Sequence, residues 1–142
     1  MGDTITIRTL GPDDAHVLDH VRPGVFDGDV DPAYAWAFLS LGVNVIVVGL
    51  DAGEVVGFAS GTVLLHPDKP RSFFVNEIGV HKDVRLRGLA SRLVRRITDV
   101  ARERGCEEIW GLTDDGNGAA KALCASLGGE ETSGHVMFTW QI

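Results

Sequence analysis

The amino-acid sequence predicts an α+β fold in which about four helices flank a mixed, mostly antiparallel central sheet. Three observations carry this expectation. Long β-rich runs, "NVIVVGLDAG", "EVVGFASGTVLLH" and "RSFFVNEIGVH", follow one another with only short turn signals between them. Directly after them Leu89, Leu93, Val94, Ile97, Val100 and Ala101 recur at helical spacing. Strand-like and helix-like runs then alternate to the last residue.

Each element has its own signal. "TITIRTL" alternates with period two and reads as a strand. "GPDDAHVLDHVRPGVF" opens on Pro12 and acidic residues, a helix start, and runs to the break at Pro23-Gly24. After the acidic link "DGDVD", "PAYAWAFLSL" begins on Pro32 and reads as a short helix. The first two β-rich runs join around Ala52-Gly53 as a hairpin, and "HPDKP" turns the chain into the third. The long helix stops at Gly105. "EEIWGLTDD" reads as a further strand, "NGAAKALCASLGG" as a helix capped by Asn117 and stopped by Gly128-Gly129, and "HVMFTW" as a last strand. Trp36, Trp110 and Trp140 lie in apolar runs and are expected in the core.

At 142 residues the chain is expected to be one domain, 1–142, and its 44% hydrophobic and 23% charged residues place it among ordinary globular proteins. The longest nearly uncharged run, Ala35 to Leu50, contains Gly42 and Asn44 and falls short of the ~20 residues of a membrane span. "MGDTITIRTL" has no basic region followed by an apolar one, so a cytoplasmic protein without a membrane partner is expected. Cys106 and Cys124 are too few for a disulfide framework and form no CxxC, and neither His81 nor His135 has neighbours at metal-ligand spacing. No metal is expected, and both histidines read as structural or rim residues.

Charge is unevenly spread. Lys82 to Arg104 holds eight of the thirteen basic residues and only three of the twenty acids. One segment is suited to an anion, and the acidic remainder to a cation. Arginines from Arg92 onward read equally well as a solvated helix face. A nucleic-acid partner is not expected, because acids dominate elsewhere and no aromatics interleave the arginines.

"VRLRGLA" lies where the third β-rich run enters the long helix. Amides of a helix's first turn lack intrahelical acceptors and, with the helix dipole, attract phosphate; a glycine lets the phosphate reach the backbone. The stretch is neither a Walker loop nor a dinucleotide fingerprint. It matches R-x-x-G-x-A, as Arg85, Gly88 and Ala90. With the order of elements and "AAKALCASLGG", the chain resembles the GNAT superfamily of N-acetyltransferases over nearly its entire length. More locally, "YAWAFLS", "EVVGFASGTVLLHPDKPRS", "NEIGV", "RLRGLA" and "ALCASLGG" are similar to the small aminoglycoside 3-N-acetyltransferases.

The resemblance implies an enzyme that acetylates a primary amine from acetyl-CoA. It places the pyrophosphate on the loop of Arg85, Leu86, Arg87, Gly88, Leu89, Ala90 and Ser91, with Asn117 also beside the cofactor. It implies that the backbone of Ile78, Gly79 and Val80 bonds the pantetheine arm like an added strand, the Val80 amide holding the developing oxyanion. An ammonium acceptor must lose a proton before it attacks a thioester, so a base is needed. Glu77 is the candidate, an acid out of character on an apolar strand, where partial burial would sharpen it as a base. An outward-facing carboxylate or a partner of an arginine is its other reading. Asn76 is expected on the opposite face of the strand.

Asn117, Ala120 and Leu123 match the superfamily's N-x-x-A-x-x-L-Y, but Cys124 stands at the position of the tyrosine acid. Cys124 could donate weakly, water could substitute, or no acid is used; a small buried hydrophobe is the favoured reading. Asp27, Asp29, Asp31 and Tyr34, together with Asp114 and Asp115, are candidates to face a cationic small-molecule acceptor. Solvated loop acids are the alternative for each. Rival acceptors are a protein N-terminus, a lysine, a polyamine or a metabolite amine, and an acyl-CoA sensor without transfer is the rival function. A homodimer is left open.

Overall fold

The computed structural model describes residues 4–142. The chain divides into two compact units, Met1–Leu112 and Thr113–Ile142.

The first unit is built on a five-stranded sheet in sequence order, β1 (Thr6–Thr9), β2 (Asn44–Asp51), β3 (Glu54–Leu64), β4 (Ser72–Val80) and β5 (Glu108–Gly111). The first four run antiparallel to their neighbours and β5 runs parallel to β4. The β2–β3 hairpin closes through Ala52 at φ 49° and Gly53 at φ 83°, the two positive angles that match the twist of the strands. Helix α1 spans Pro32–Ser40 and α2 spans Leu89–Glu103. Asp31 starts α1, its carboxylate accepting from the amides of Ala33 (2.8 Å) and Tyr34 (3.3 Å), with Pro32 in the first turn.

Helix α2 lays Leu89, Leu93, Ile97, Val100 and Ala101 on one face of the sheet, against Val45, Val47, Val56, Ala59, Val63 and Phe73. Leu93 and Ile97 are wholly buried, and each such side chain contributes roughly 1.5–3 kcal/mol. The opposite face packs Ile46, Val48, Val55 and Phe58 against Ala35 and Leu39 of α1 and against Val17 and Leu18. The mixed sheet with helices on both faces is the expected α+β architecture, but there are three α-helices among the described residues rather than four. The first expected helix is only a 3₁₀ turn, Ala15–Asp19. Its continuation is claimed by β3: Val55 donates to the His20 carbonyl (2.8 Å) and accepts from the Arg22 amide (3.0 Å), drawing Val21 into a bridge. The β5 strand is shorter than "EEIWGLTDD", because its pairing covers only Ser72 to Val75 of β4. Trp36 and Trp110 are exposed instead of core residues; Trp110 lies against Phe74, ring centroids 4.6 Å apart.

In the second unit α3 spans Gly118–Ser126. Asn117 caps it as expected, its side-chain oxygen accepting from the Ala120 amide at 3.0 Å, and Gly128 at φ 86° ends it. "HVMFTW" does not form the expected last strand. A strand exists through its ladder, and this segment has no ladder partner among the described residues, which leaves Val136, Met137, Phe138 and Trp140 exposed.

Candidate active site

The site begins with an irregularity in β4. Ser60 of β3 faces Glu77 and the next residue, Gly61, faces Val75, so Asn76 is an extra residue, a β-bulge. One inserted residue reverses the alternation. Phe73 and Val75 pack on the α2 side, whereas Glu77 and Gly79 stand opposite Ser60 and Phe58, on the α1 side. Asn76 is not on the face opposite Glu77, contrary to expectation. Its Nδ2 donates to Thr62 Oγ1 (3.3 Å), and Thr62 lies beside Asn44, which is tied to the last turn of α1. The bulge therefore turns two successive polar side chains to one side.

The same bulge marks the end of β5 pairing. Beyond Val75 the outer edge of β4, from Asn76 to Val80, has no strand partner among the described residues. Its free backbone groups can take an added strand. At Gly79 the chain is pressed so tightly that a Cβ would stand 2.4 Å from the Val25 carbonyl oxygen and 2.7 Å from the Phe58 ring. Glu77 is exposed rather than partly buried, and no arginine pairs with it among the described residues.

Past Val80 the chain is held from below and left open above. His81 is buried at 8% exposure and starts a second 3₁₀ turn, Lys82–Val84, its Nδ1 accepting from the Asp83 amide at 3.1 Å. Val84 anchors the turn in the core, and Arg85 Nε donates to the Val80 carbonyl at 3.1 Å. Leu86 (φ 65°) and Gly88 (φ 76°) are both left-handed, and alternation of hand is what makes successive amides converge on an anion. Helix α2 starts at Leu89 without a side-chain cap, so the amides of Leu89, Ala90 and Ser91 have no intrahelical acceptor. Leu89 is itself buried and would contribute its backbone alone.

The arginines sort by partner. Arg96 clamps α2 to β1 through Thr9 Oγ1, and Arg92 clamps it to the residue just before β1 through the Ile5 carbonyl, at 3.0 Å each. Arg102 pairs with Asp99 at 3.0 Å and Arg104 donates to the Gly42 carbonyl. Lys82, Arg85 and Arg87 remain exposed around the loop. A coenzyme A pyrophosphate fits these residues: a Cβ built on Gly88 meets nothing within 4 Å, so the surface there is open to an approaching anion.

Asp27, Asp29 and Tyr34 are exposed before and on α1, while the Asp31 carboxylate is already engaged as the α1 cap. In the second unit Lys121 Nζ lies 2.5 Å from Asp115 and 3.7 Å from Glu131. That hydrogen bond, with the attraction of the ammonium, holds the Asp115 carboxyl below the usual carboxylate range, and the same bond raises the Lys121 ammonium. Asp114 keeps an exposed carboxylate, and its carbonyl accepts from the Asn117 amide at 2.9 Å. The Asn117 oxygen is spent on the α3 cap, leaving its amide nitrogen for a ligand. Cys124 is exposed, not the small buried hydrophobe expected. Sequence reasoning missed the places of Asn44 and Thr62, and took Asp31 for an acceptor residue although Pro32 after it signals a cap; His81 is structural, as expected.

These features define the class. The model of the acetyltransferase (GNAT) family matches residues 17–128, and the chain belongs to that family of acetyl-CoA-dependent N-acetyltransferases. Among solved structures, it is similar to an aminoglycoside acetyltransferase from an uncultured soil metagenomic sample, at 20% identity and a TM-score of 0.80 over 98% of this chain and 100% of that one. The aminoglycoside N-acetyltransferase AAC(6')-Iy in complex with CoA matches at 21% identity and TM-score 0.81, over 100% and 98% of the two chains. A ribosomal-protein-alanine N-acetyltransferase from Brucella melitensis biovar Abortus 2308 matches at 24% identity and TM-score 0.71, over 95% and 99%. No curated protein matches the sequence. None of the described helices is long and apolar enough to cross a membrane, and no cluster among the described residues could hold a metal.

Proposed function

We propose that this protein transfers the acetyl group of acetyl-CoA to a primary amine of an aminoglycoside, at the 3-N position, with Glu77 as the base. One observation carries the reading: the bulge at Asn76 sets Glu77 beside the stretch of β4 whose outer edge is unpaired. Acetyl-CoA, when bound, supplies an acyl group activated as a thioester. The Arg85 to Ser91 loop holds its pyrophosphate through backbone amides, with Arg85, Arg87 and Lys82 adding charge. Ile78, Gly79 and Val80 offer their backbone as a strand edge, and the Val80 amide is the donor for charge that develops on the carbonyl oxygen. Glu77 accepts the proton of the acceptor ammonium, directly or through one water. No acid need be asked of Cys124, because a thiol of pKa about 8.5 leaves as a thiolate near neutrality at small expense.

Exposed Asp27 and Asp29 of the first unit support a cationic acceptor, as does exposed Asp114 of the second taken by itself, and Tyr34 is an exposed ring that follows Asp29 in the chain. The 3-N position follows the local resemblance of residues 34–40, 54–72 and 122–129; the AAC(6') neighbour makes the 6' amine its rival. The neighbouring ribosomal-protein-alanine enzyme makes a peptide N-terminus the second reading. The test is acetyl-CoA consumption with gentamicin-type and kanamycin-type aminoglycosides, a polyamine and an alanine-starting peptide, followed by mapping of the acetylated nitrogen. Turnover of the peptide or polyamine alone would refute the aminoglycoside assignment. Glu77→Gln keeps shape but cannot take the proton and should lower kcat/KM by ~10²-fold or more. Wild-type turnover in that variant would remove Glu77 from the role.

A further inference from the structure

We propose that Asn44, Thr62 and Asn76 form a hydrogen-bonded relay that fixes the β4 bulge and thereby aims Glu77, which makes them positioning residues for acetyl transfer. The inference rests on Glu77 being the base. Asn76 is the one residue of the bulge with no place in the ladder, since Ser60 pairs with Glu77 and Gly61 with Val75. Its side chain supplies the hold that the ladder does not. Asn76 Nδ2 donates to Thr62 Oγ1 at 3.3 Å; Thr62 Oγ1 donates to Asn44 Oδ1 at 3.1 Å; Asn44 Nδ2 donates to the Phe38 carbonyl at 3.1 Å.

The direction of the chain is forced. A threonine hydroxyl has one proton, so once it is given to Asn44 the oxygen can only accept from Asn76. The last acceptor, Phe38, lies in the final turn of α1, where carbonyls have no intrahelical donor and seek an outside one. Asn44 is pinned there twice, its own amide donating to the Leu41 carbonyl at 3.0 Å. Asn44 and Thr62 are cross-strand partners and both half-buried, so the middle of the relay is partly shielded from water while Asn76 is exposed. Hydrogen bonds run head to tail polarise one another and are stiffer than the same bonds apart. Three side chains on three adjacent strands thus join the end of α1 to the residue immediately before Glu77.

Thr62→Val keeps the shape of the side chain and removes both of its hydrogen bonds. It should lower kcat for the amine acceptor about tenfold while leaving the KM for acetyl-CoA within about twofold, because the loop that holds the cofactor is elsewhere. Thr62→Ser, which restores the hydroxyl, should return most of the rate. In a Glu77→Gln background Thr62→Val should have little further effect, since the relay acts through that carboxylate. Wild-type kcat in Thr62→Val, or the same loss with and without Glu77, would overturn the proposal. Should Thr62→Val not fold, Asn76→Ala at the exposed end carries the same test. NMR separates this failure from failure of the base assignment. If Glu77→Gln leaves turnover intact, the base assignment and the aiming role fall together. The side-chain amide signals of Asn44 and Asn76 then judge the relay itself, which stands if both shift in Thr62→Val and falls if Asn76 is unmoved.

Discussion

Gly88 separates backbone strain from ligand contact, and three substitutions read the two apart. Its φ of 76° lies where an L side chain is disfavoured, and a Cβ there would touch nothing within 4 Å. Gly88→Ala should therefore destabilise the fold by strain alone, about 1–2 kcal/mol, a shift of a few degrees in Tm for a domain of this size. Gly88→Asn tolerates the left-handed conformation and should return most of that stability. Both side chains still project from the loop where the pyrophosphate must meet the backbone, so both should weaken coenzyme A binding. Gly88→Glu adds a negative charge. Two like unit charges about 5 Å apart at an effective dielectric of about 20 repel by about 3 kcal/mol, on the order of a hundredfold in affinity. Thermal unfolding reports the strain and calorimetric titration with coenzyme A reports the contact. Wild-type affinity in Gly88→Glu would refute the assignment of the loop, as would a Gly88→Asn protein that loses stability but binds normally.

Cys124→Ala should leave Tm within about a degree and the rate within about threefold, because the side chain is exposed and a thiolate leaving group needs little help; a loss above about tenfold would give the thiol an acid role. The Asp115–Lys121 pair should support α3 only between two limits. Asp115 is depressed, so its support is full above the ordinary carboxylate pKa of about 3.9 and is lost as pH falls through its lower native value. Lys121 is raised, so its support is full below about 10.4 and is lost as pH climbs through its higher native value. NMR of α3 amides during titration checks both limits, and Asp115→Asn should abolish both responses. Gly79→Ala must push a methyl into the Val25 carbonyl and Phe58, and should destabilise by about 1–3 kcal/mol in denaturant unfolding; an unchanged midpoint would contradict the packing.

What the sequence made legible was mostly local. Ala52-Gly53 demands its hairpin, Leu89 to Ala101 repeats at the helical period, and Arg85, Gly88 and Ala90 mark the loop within six residues. Tertiary competition decided the misses. The first helix pattern lost to Val55, whose backbone groups take His20 and Arg22, and "HVMFTW" is apolar enough for a strand yet has no described neighbour to pair with. The bulge did leave a trace. Phe73 and Val75 are odd-numbered and pack against α2, but the next residue to pack there is Val80, an even one, so the apolar phase slips within "NEI". Reading Asn76 by strict alternation put it on the wrong side; reading the slip would have found the inserted residue.

That single inserted residue ties the chemistry to the fold. It ends the pairing with β5, leaving β4 an open edge, and it rotates Glu77 away from the α2 core toward the α1 face. Both consequences depend on backbone geometry and on the Asn76 contact, not on the identity of the exposed acids at Asp27, Asp29 and Asp114. On the proposed roles, donor binding and proton removal would stay constant while loop side chains change the acceptor. The solved aminoglycoside acetyltransferase and ribosomal-protein-alanine N-acetyltransferase share the fold with this chain at 20% and 24% identity. By the same division, exchanging Asp27 and Asp29 for asparagine should raise the KM for a polycationic acceptor and leave coenzyme A binding untouched.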